Sequence, residues 1–148
     1  MSAHEIRHGD YLITDDRAKL DAVTIHRYLS EESYWAKGIT LETVQRSLDH
    51  SLCIGVYVSA GNQVGLARVV TDYATFGWLC DVFVLSAHRG SGLGKALVTA
   101  VITHPGLQTL RRIALGTLDA HALYAQFGFT PLAEPQRHME RRRQQPLH

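Results

Sequence analysis

Apolar and polar positions follow two rhythms along this chain. Tyr11 to Thr14 is a short apolar run that reads as a strand, and Ala18, Ala22, Ile25 and Leu29 then recur at helical spacing. Asp15 and Asp16 stand where side-chain oxygens accept from the free N–H groups at a helix start. The segment Ser33 to Gly38 breaks the period and places Tyr34 and Trp35 in a loop; Thr40 is then set to cap a second helix with Leu41, Val44 and Leu48 on its inner face. From Ser51 the period becomes two: Leu52, Ile54, Val56 and Val58 alternate with smaller or polar residues, which predicts a half-buried strand. Gly61-Asn62 turns the chain, Val64 to Val70 returns, and Phe76 to Leu85 forms a third long strand, an antiparallel meander.

Beyond Ser86 comes a glycine-rich segment, Arg89-Gly90-Ser91-Gly92-Leu93-Gly94, and then a run from Leu93 to Ile102 that is apolar on nearly every side and so predicts a buried helix. His104-Pro105-Gly106 ends it, because proline cannot continue the hydrogen-bond ladder. Arg112 to Gly116 is a strand separated from the previous one by a helix, which implies a parallel crossover. Ala120, Leu123, Tyr124 and Phe127 define a last helix, Gly128 is placed to cap it in the left-handed conformation, and Phe129 to Leu132 reads as a closing strand. The expected fold is α/β (α+β): a mixed central sheet, antiparallel at first and parallel after the third long strand, with helices on both faces. One domain is expected over 1–148, with a polar, Arg-rich tail over 136–148 and no internal repeat.

Composition narrows the function. Lys and Arg number 15 against 14 Asp and Glu, a net charge of +1, so no bulk attraction to nucleic acid or to an anionic membrane is built in. The longest apolar stretch is far shorter than the ~20 residues of a membrane span, and Met1 to Arg17 lacks the apolar core of a secretory signal. A cytoplasmic protein is expected. Cys53 and Cys80 lie in apolar alternating segments without a metal-ligand spacing and read as buried, reduced thiols. His4 and His8 are four residues apart near a terminus expected to be mobile; no metal site is assigned.

Glycines between a strand and a helix let backbone N–H groups approach an anion, and the helix dipole adds positive potential there. A phosphate-binding P-loop would need glycine where Arg89 stands and Ser or Thr where Ala96 stands. A dinucleotide GxGxxG would need glycine at Lys95 or at Leu97. Both readings fail. What remains is RxxGxG at Arg89, Gly92 and Gly94, preceded by the strand Val82-Phe83-Val84.

With these residues the chain resembles the GNAT superfamily of N-acetyltransferases, whose recurrent motif is a strand, R/Q-x-x-G-x-G/A and a helix. Asp81 to Leu97 matches that motif without gaps, and Leu123-Tyr124-Ala125-Gln126-Phe127-Gly128-Phe129 is similar to the family's LYxxxGF signature. The resemblance implies acetyl-CoA as cosubstrate. Its pyrophosphate would be held by Arg89, Gly90, Ser91, Gly92, Leu93, Gly94 and Lys95, and its pantetheine arm by backbone groups of the bulged, splayed strand Val82, Phe83 and Val84. Where the family often has Asn, seven residues before the tyrosine, this chain has Thr117.

Acetyl transfer to an amine needs a neutral amine, a stabilised oxyanion and a proton for the leaving thiolate. Asp81 is assigned to bind or deprotonate the acceptor, with a structural strand-end carboxylate as the other reading. The backbone N–H of Val82 is assigned to the oxyanion. Tyr124 is assigned as the general acid, since a phenol holds its proton at neutral pH; a core tyrosine is the other reading. Of the aromatics Tyr34, Trp35, Tyr73, Phe76 and Trp78, the acceptor pocket is assigned to Tyr34, Trp35 and Trp78. His121, on the same helical face as Tyr124, is a cofactor contact or a surface residue. The expected function is N-acetyltransfer to a primary amine of a small molecule or amino acid derivative, without nucleic acid or membrane partners and with a homodimer left open. A noncatalytic acyl-CoA sensor is the competing reading, and a nucleotide-binding switch is weakened by the failed P-loop spacing.

Overall fold

The structure, a computed structural model, describes residues 3–143. Strands β1 (Glu5–His8) and β2 (Tyr11–Thr14) lead into helices α1 (Ala22–Arg27) and α2 (Leu41–Asp49). Strands β3 (Leu52–Tyr57), β4 (Gln63–Thr71) and β5 (Phe76–Val84) follow, then α3 (Leu93–Ile102), β6 (Arg112–Leu115) and α4 (His121–Ala125). The six strands form one sheet in sequence order, antiparallel from β1 to β5, with β6 parallel to β5. The parallel step requires a crossover, which α3 supplies. No helix among the described residues is long and apolar enough to cross a membrane.

Each face of the sheet has its own core. Leu93, Leu97, Val98 and Val101 of α3 pack against Ile54, Val56, Val69 and Leu79, while Ile25, Leu29, Val44 and Leu48 of α1 and α2 and their connection pack against Cys53, Leu66 and Phe83. Fully buried side chains of this size each contribute about 1.5–3 kcal/mol relative to exposure. The expectation of a half-buried β3 is corrected by this arrangement: every residue from Leu52 to Tyr57 is buried, because the alternation in its sequence divides two cores rather than core from solvent.

Other expectations are revised for local reasons. The helical stripe from Ala18 to Leu29 is broken into a short 3-10 turn at Arg17–Lys19, the helix α1 and a π turn at Tyr28–Glu32. Asp16 caps the 3-10 turn, and Asp21 caps α1 by accepting from Thr24 N. Thr40 caps α2 as expected, but Leu41 is exposed and only Val44 and Leu48 face inward. The segment Phe129 to Leu132, expected as a closing strand, pairs with no strand among the described residues. The tail includes a 3-10 turn at Pro135–Arg137, and its last residues, 144–148, lie outside the described residues. The N-terminal histidines are not on a loose end: His8 belongs to β1, and the backbone N–H of His4 donates to Asp15 Oδ1 at 2.8 Å. Cys53 is buried, Cys80 only partly, and both are free thiols.

Candidate active site

β5 changes register where its chemistry begins. Leu66 pairs with Phe83 and Arg68 with Cys80, so Ala67 alone faces both Asp81 and Val82, a β-bulge. Asp81 takes the left-handed conformation at φ +51°, which Asp tolerates better than most residues. The pairing of β5 with β6 stops at Leu79 and Leu115, whereas β5 continues beside β4 to Val84. The edge of β5 from Cys80 onward therefore has no strand partner on the β6 side, and its free backbone groups are available to an extended ligand.

A cleft of about 430 Å³ opens at this parting. Asp81, Val82, Tyr34, Trp35, Trp78 and Tyr124 all line it, so both assigned catalytic residues and all three assigned acceptor aromatics meet in one place. Tyr73 and Phe76 do not: Tyr73 packs beside Gly106, and Phe76 lies under the Arg112 guanidinium. Trp78 lies along the end of β6, its indole 3.8 Å from where a Cβ on Gly116 would stand.

Asp81 is held from two sides. Arg68 Nε donates to its Oδ2 at 2.8 Å, an ion pair with both side chains at most 16% exposed, and Trp35 Nε1 donates to its Oδ1 at 2.8 Å. The loop that carries Trp35 is fastened a second time, since the backbone N–H of Leu118 donates to the Tyr34 hydroxyl at 2.9 Å. Tyr124, set inward by α4, is buried; burial, with Tyr34 nearby, raises its phenol above the usual range. Its hydroxyl bonds to no protein group among the described residues, and Tyr124 lines the cleft. Burial pushes the Cys80 thiol up to about 11, against the pull of Arg68. Thr117, where the family often has Asn, accepts from Ala120 N at 3.0 Å and so shapes the start of α4. His121 is exposed at that start.

The glycine segment forms the second half of the site. Gly90 and Gly92 adopt φ +87° and +79°, a conformation that only glycine takes without strain, and Gly92 caps α3. The N–H groups from Gly90 to Lys95 bond to no protein acceptor among the described residues, so the loop and first turn present free donors. Arg89 is differently employed: its N–H donates to Ser86 O, Nε to Val84 O and one terminal nitrogen to the Tyr28 hydroxyl, which ties the loop to β5. The Leu93 side chain is buried and leaves only its backbone to a ligand, whereas Phe83 stacks on Tyr28 at 4.1 Å between ring centroids and turns its backbone toward Leu66 of β4.

Sequence reasoning missed three participants. Arg68 sits within a strand with nothing local to mark it, Leu118 contributes only its N–H, and His8 reaches the glycine loop across 83 positions of chain, its Nε2 donating to Ser91 O at 2.7 Å.

A bulged strand parted from its parallel neighbour, running into a loop of unsatisfied N–H donors at the head of a buried helix, fits a ligand with an anionic linker and an amide-bearing arm; this is the framework of an acyl-CoA-dependent transferase. The chain belongs to the Acetyltransferase (GNAT) family, whose family model matches residues 22–129. It is similar to a Xanthomonas campestris pv. campestris protein of the GNAT family with solved structure, 55% identical over 89% of this chain and 92% of that one, TM-score 0.87. A Gibberella zeae protein assigned to the acetyltransferases is 33% identical, covering 78% of this chain and 76% of its own. A Mycobacterium tuberculosis protein solved in complex with CoA shares the fold, at 20% identity and TM-score 0.67 over 81% of this chain and 72% of its own. The chain is thus an N-acetyltransferase that uses acetyl-CoA.

Proposed function

We propose that this enzyme acetylates the primary amine of a small molecule or amino acid derivative by direct attack on the thioester, with Tyr124 as general acid. The observation that carries this reading is the convergence of Tyr124, Asp81 and the aromatics Tyr34, Trp35 and Trp78 on the cleft where β5 leaves β6. The free edge of β5, with Val82, Phe83 and Val84, would receive the pantetheine arm, and the N–H groups of Gly90 to Lys95 the pyrophosphate. The Val84 carbonyl is already engaged by Arg89, so Val84 would contribute its N–H. The acceptor would enter between Trp35 and Trp78, its apolar part against the rings.

In the reaction the neutral amine nitrogen bonds to the acetyl carbonyl carbon, the carbonyl oxygen gains negative charge, and collapse breaks the carbon–sulfur bond. The Val82 N–H at the bulge supports the oxyanion, a contribution of up to about 4 kcal/mol for a preorganised donor. The Tyr124 phenol gives its proton to the departing thiolate, and the nitrogen loses its extra proton to solvent. Asp81, ion-paired with Arg68, is better suited to accept a hydrogen bond from the amine and orient it than to carry its proton away. A thiol-release assay with acetyl-CoA over amines, polyamines, amino acids and peptides tests this reading. Turnover of at least one small amine, lost in Tyr124→Phe, is expected; acetyl-CoA binding without turnover of any acceptor would favour the noncatalytic sensor.

A further inference from the structure

The hairpin of β1 and β2 does more than extend the sheet. Residues flanking its turn meet the glycine segment and the residue just before it through two side-chain contacts: His8 Nε2 to Ser91 O at 2.7 Å, and the Tyr11 hydroxyl to His88 Nδ1 at 2.9 Å. A carbonyl only accepts, so His8 Nε2 carries a hydrogen and donates it. The same ring lies beside Gly92, 3.5 Å from where a Cβ would stand. Among the described residues no other side chain holds the carbonyl between the two left-handed glycines, Gly90 and Gly92.

That carbonyl and the N–H of Gly92 belong to one trans peptide, so they point in opposite directions. With the Ser91 oxygen fixed on His8, the Gly92 N–H is turned to the other side, among the free N–H groups that continue to Lys95. Turning this peptide over rotates ψ of Ser91 and φ of Gly92, and Gly92 has no Cβ to resist the change. Turned over, it would present an oxygen where an anion is to be bound. We propose that His8 is a positioning residue of the cofactor site: it locks the Ser91–Gly92 peptide so that the loop offers only donors to the pyrophosphate. The inference rests on the reading of Gly90 to Lys95 as the pyrophosphate site.

Three ligands separate this role from a merely structural one. CoA and dephospho-CoA carry the pyrophosphate, and pantetheine does not. By calorimetry or NMR titration, His8→Ala should weaken CoA and dephospho-CoA equally, by about three- to tenfold, the usual worth of one lost hydrogen bond, and leave pantetheine unchanged. His8→Gln, whose amide nitrogen reaches about as far as Nε2, should recover most of the loss. Equal weakening of all three ligands would make His8 a general stabiliser of the fold, and weakening of CoA alone would make it a contact of the 3′-phosphate; either overturns the proposal. Unchanged affinities in His8→Ala, with wild type preferring dephospho-CoA to pantetheine, overturn the lock and leave the loop reading intact. A wild type that binds dephospho-CoA no better than pantetheine removes both.

Discussion

Trp35 and Asp81, on a loop and on a strand bulge 46 residues apart, are joined by an indole N–H donating to Oδ1 at 2.8 Å. With Arg68 on Oδ2, the carboxylate lies between a charge partner and a neutral donor. On the proposed reading of Asp81, one of its oxygens would be open to exchange: an acceptor amine would replace the indole without exposing the Arg68 charge.

Asp81→Asn keeps the shape and removes the charge, so turnover should fall while acetyl-CoA affinity stays nearly the same. Asp81→Ala should also cost stability, roughly 2–4 kcal/mol, because the Arg68 guanidinium is left without its partner at a largely covered site. Chemical denaturation and steady-state kinetics on the two variants check this. An Asp81→Asn enzyme with unaltered turnover would reduce the residue to its ion pair.

For the glycine loop, Gly92→Val is the sharpest substitution. A Cβ meets only the His8 ring, at ordinary contact distance, so the protein should fold, with a left-handed valine costing roughly 1–2 kcal/mol. The added side chain stands among the free N–H donors, and acetyl-CoA affinity should drop by well over tenfold. Calorimetry on the folded variant decides; unchanged affinity would move the phosphate site elsewhere.

These features were legible to very different degrees. Gly128 takes the left-handed conformation expected of it, because a helix cap is decided by neighbouring residues, and Gly92 takes it too although the sequence reading set no conformation for it. Tyr124 was readable as both core and acid, and the structure has it buried and lining the cleft. Arg68 and His8 were not readable, since their partners Asp81 and Ser91 come near only after the sheet has formed. β1 was missed for a related reason: Glu5-Ile6-Arg7-His8 has one apolar residue, and its strand form depends on pairing with β2.

Cys80 lines the same cleft, and a thiolate there would compete with the amine for the acetyl group. Burial raises the thiol from 9.0 to about 11, so the reactive fraction at pH 8 should be about a hundredfold smaller than in the unfolded chain. Because the native state holds this proton more tightly, stability is unaffected below pH 9 and declines as pH rises from 9 to 11. Alkylation by iodoacetamide at pH 8, read by mass spectrometry, should therefore be slow in native protein and fast after denaturation. Rapid native alkylation at Cys80 would overturn the assignment of a protonated thiol.

Tyr124→Phe removes one oxygen that bonds to no other described residue, so stability should change little and acetyl-CoA should still bind. General acid catalysis typically contributes about 10² to 10⁴ in rate, and turnover should fall by that factor where chemistry limits the wild type. The pH profile gives a second reading. Burial raises the phenol above its usual range, so the acid form is still present as the neutral fraction of the acceptor amine grows toward pH 10. The wild-type rate should rise with pH as the amine becomes neutral, with no decline from loss of the acid until above pH 10. If product release limits turnover, single-turnover measurements isolate the chemical step. A single-turnover rate in folded Tyr124→Phe equal to wild type would assign the proton to water and leave Tyr124 as a packing residue of α4.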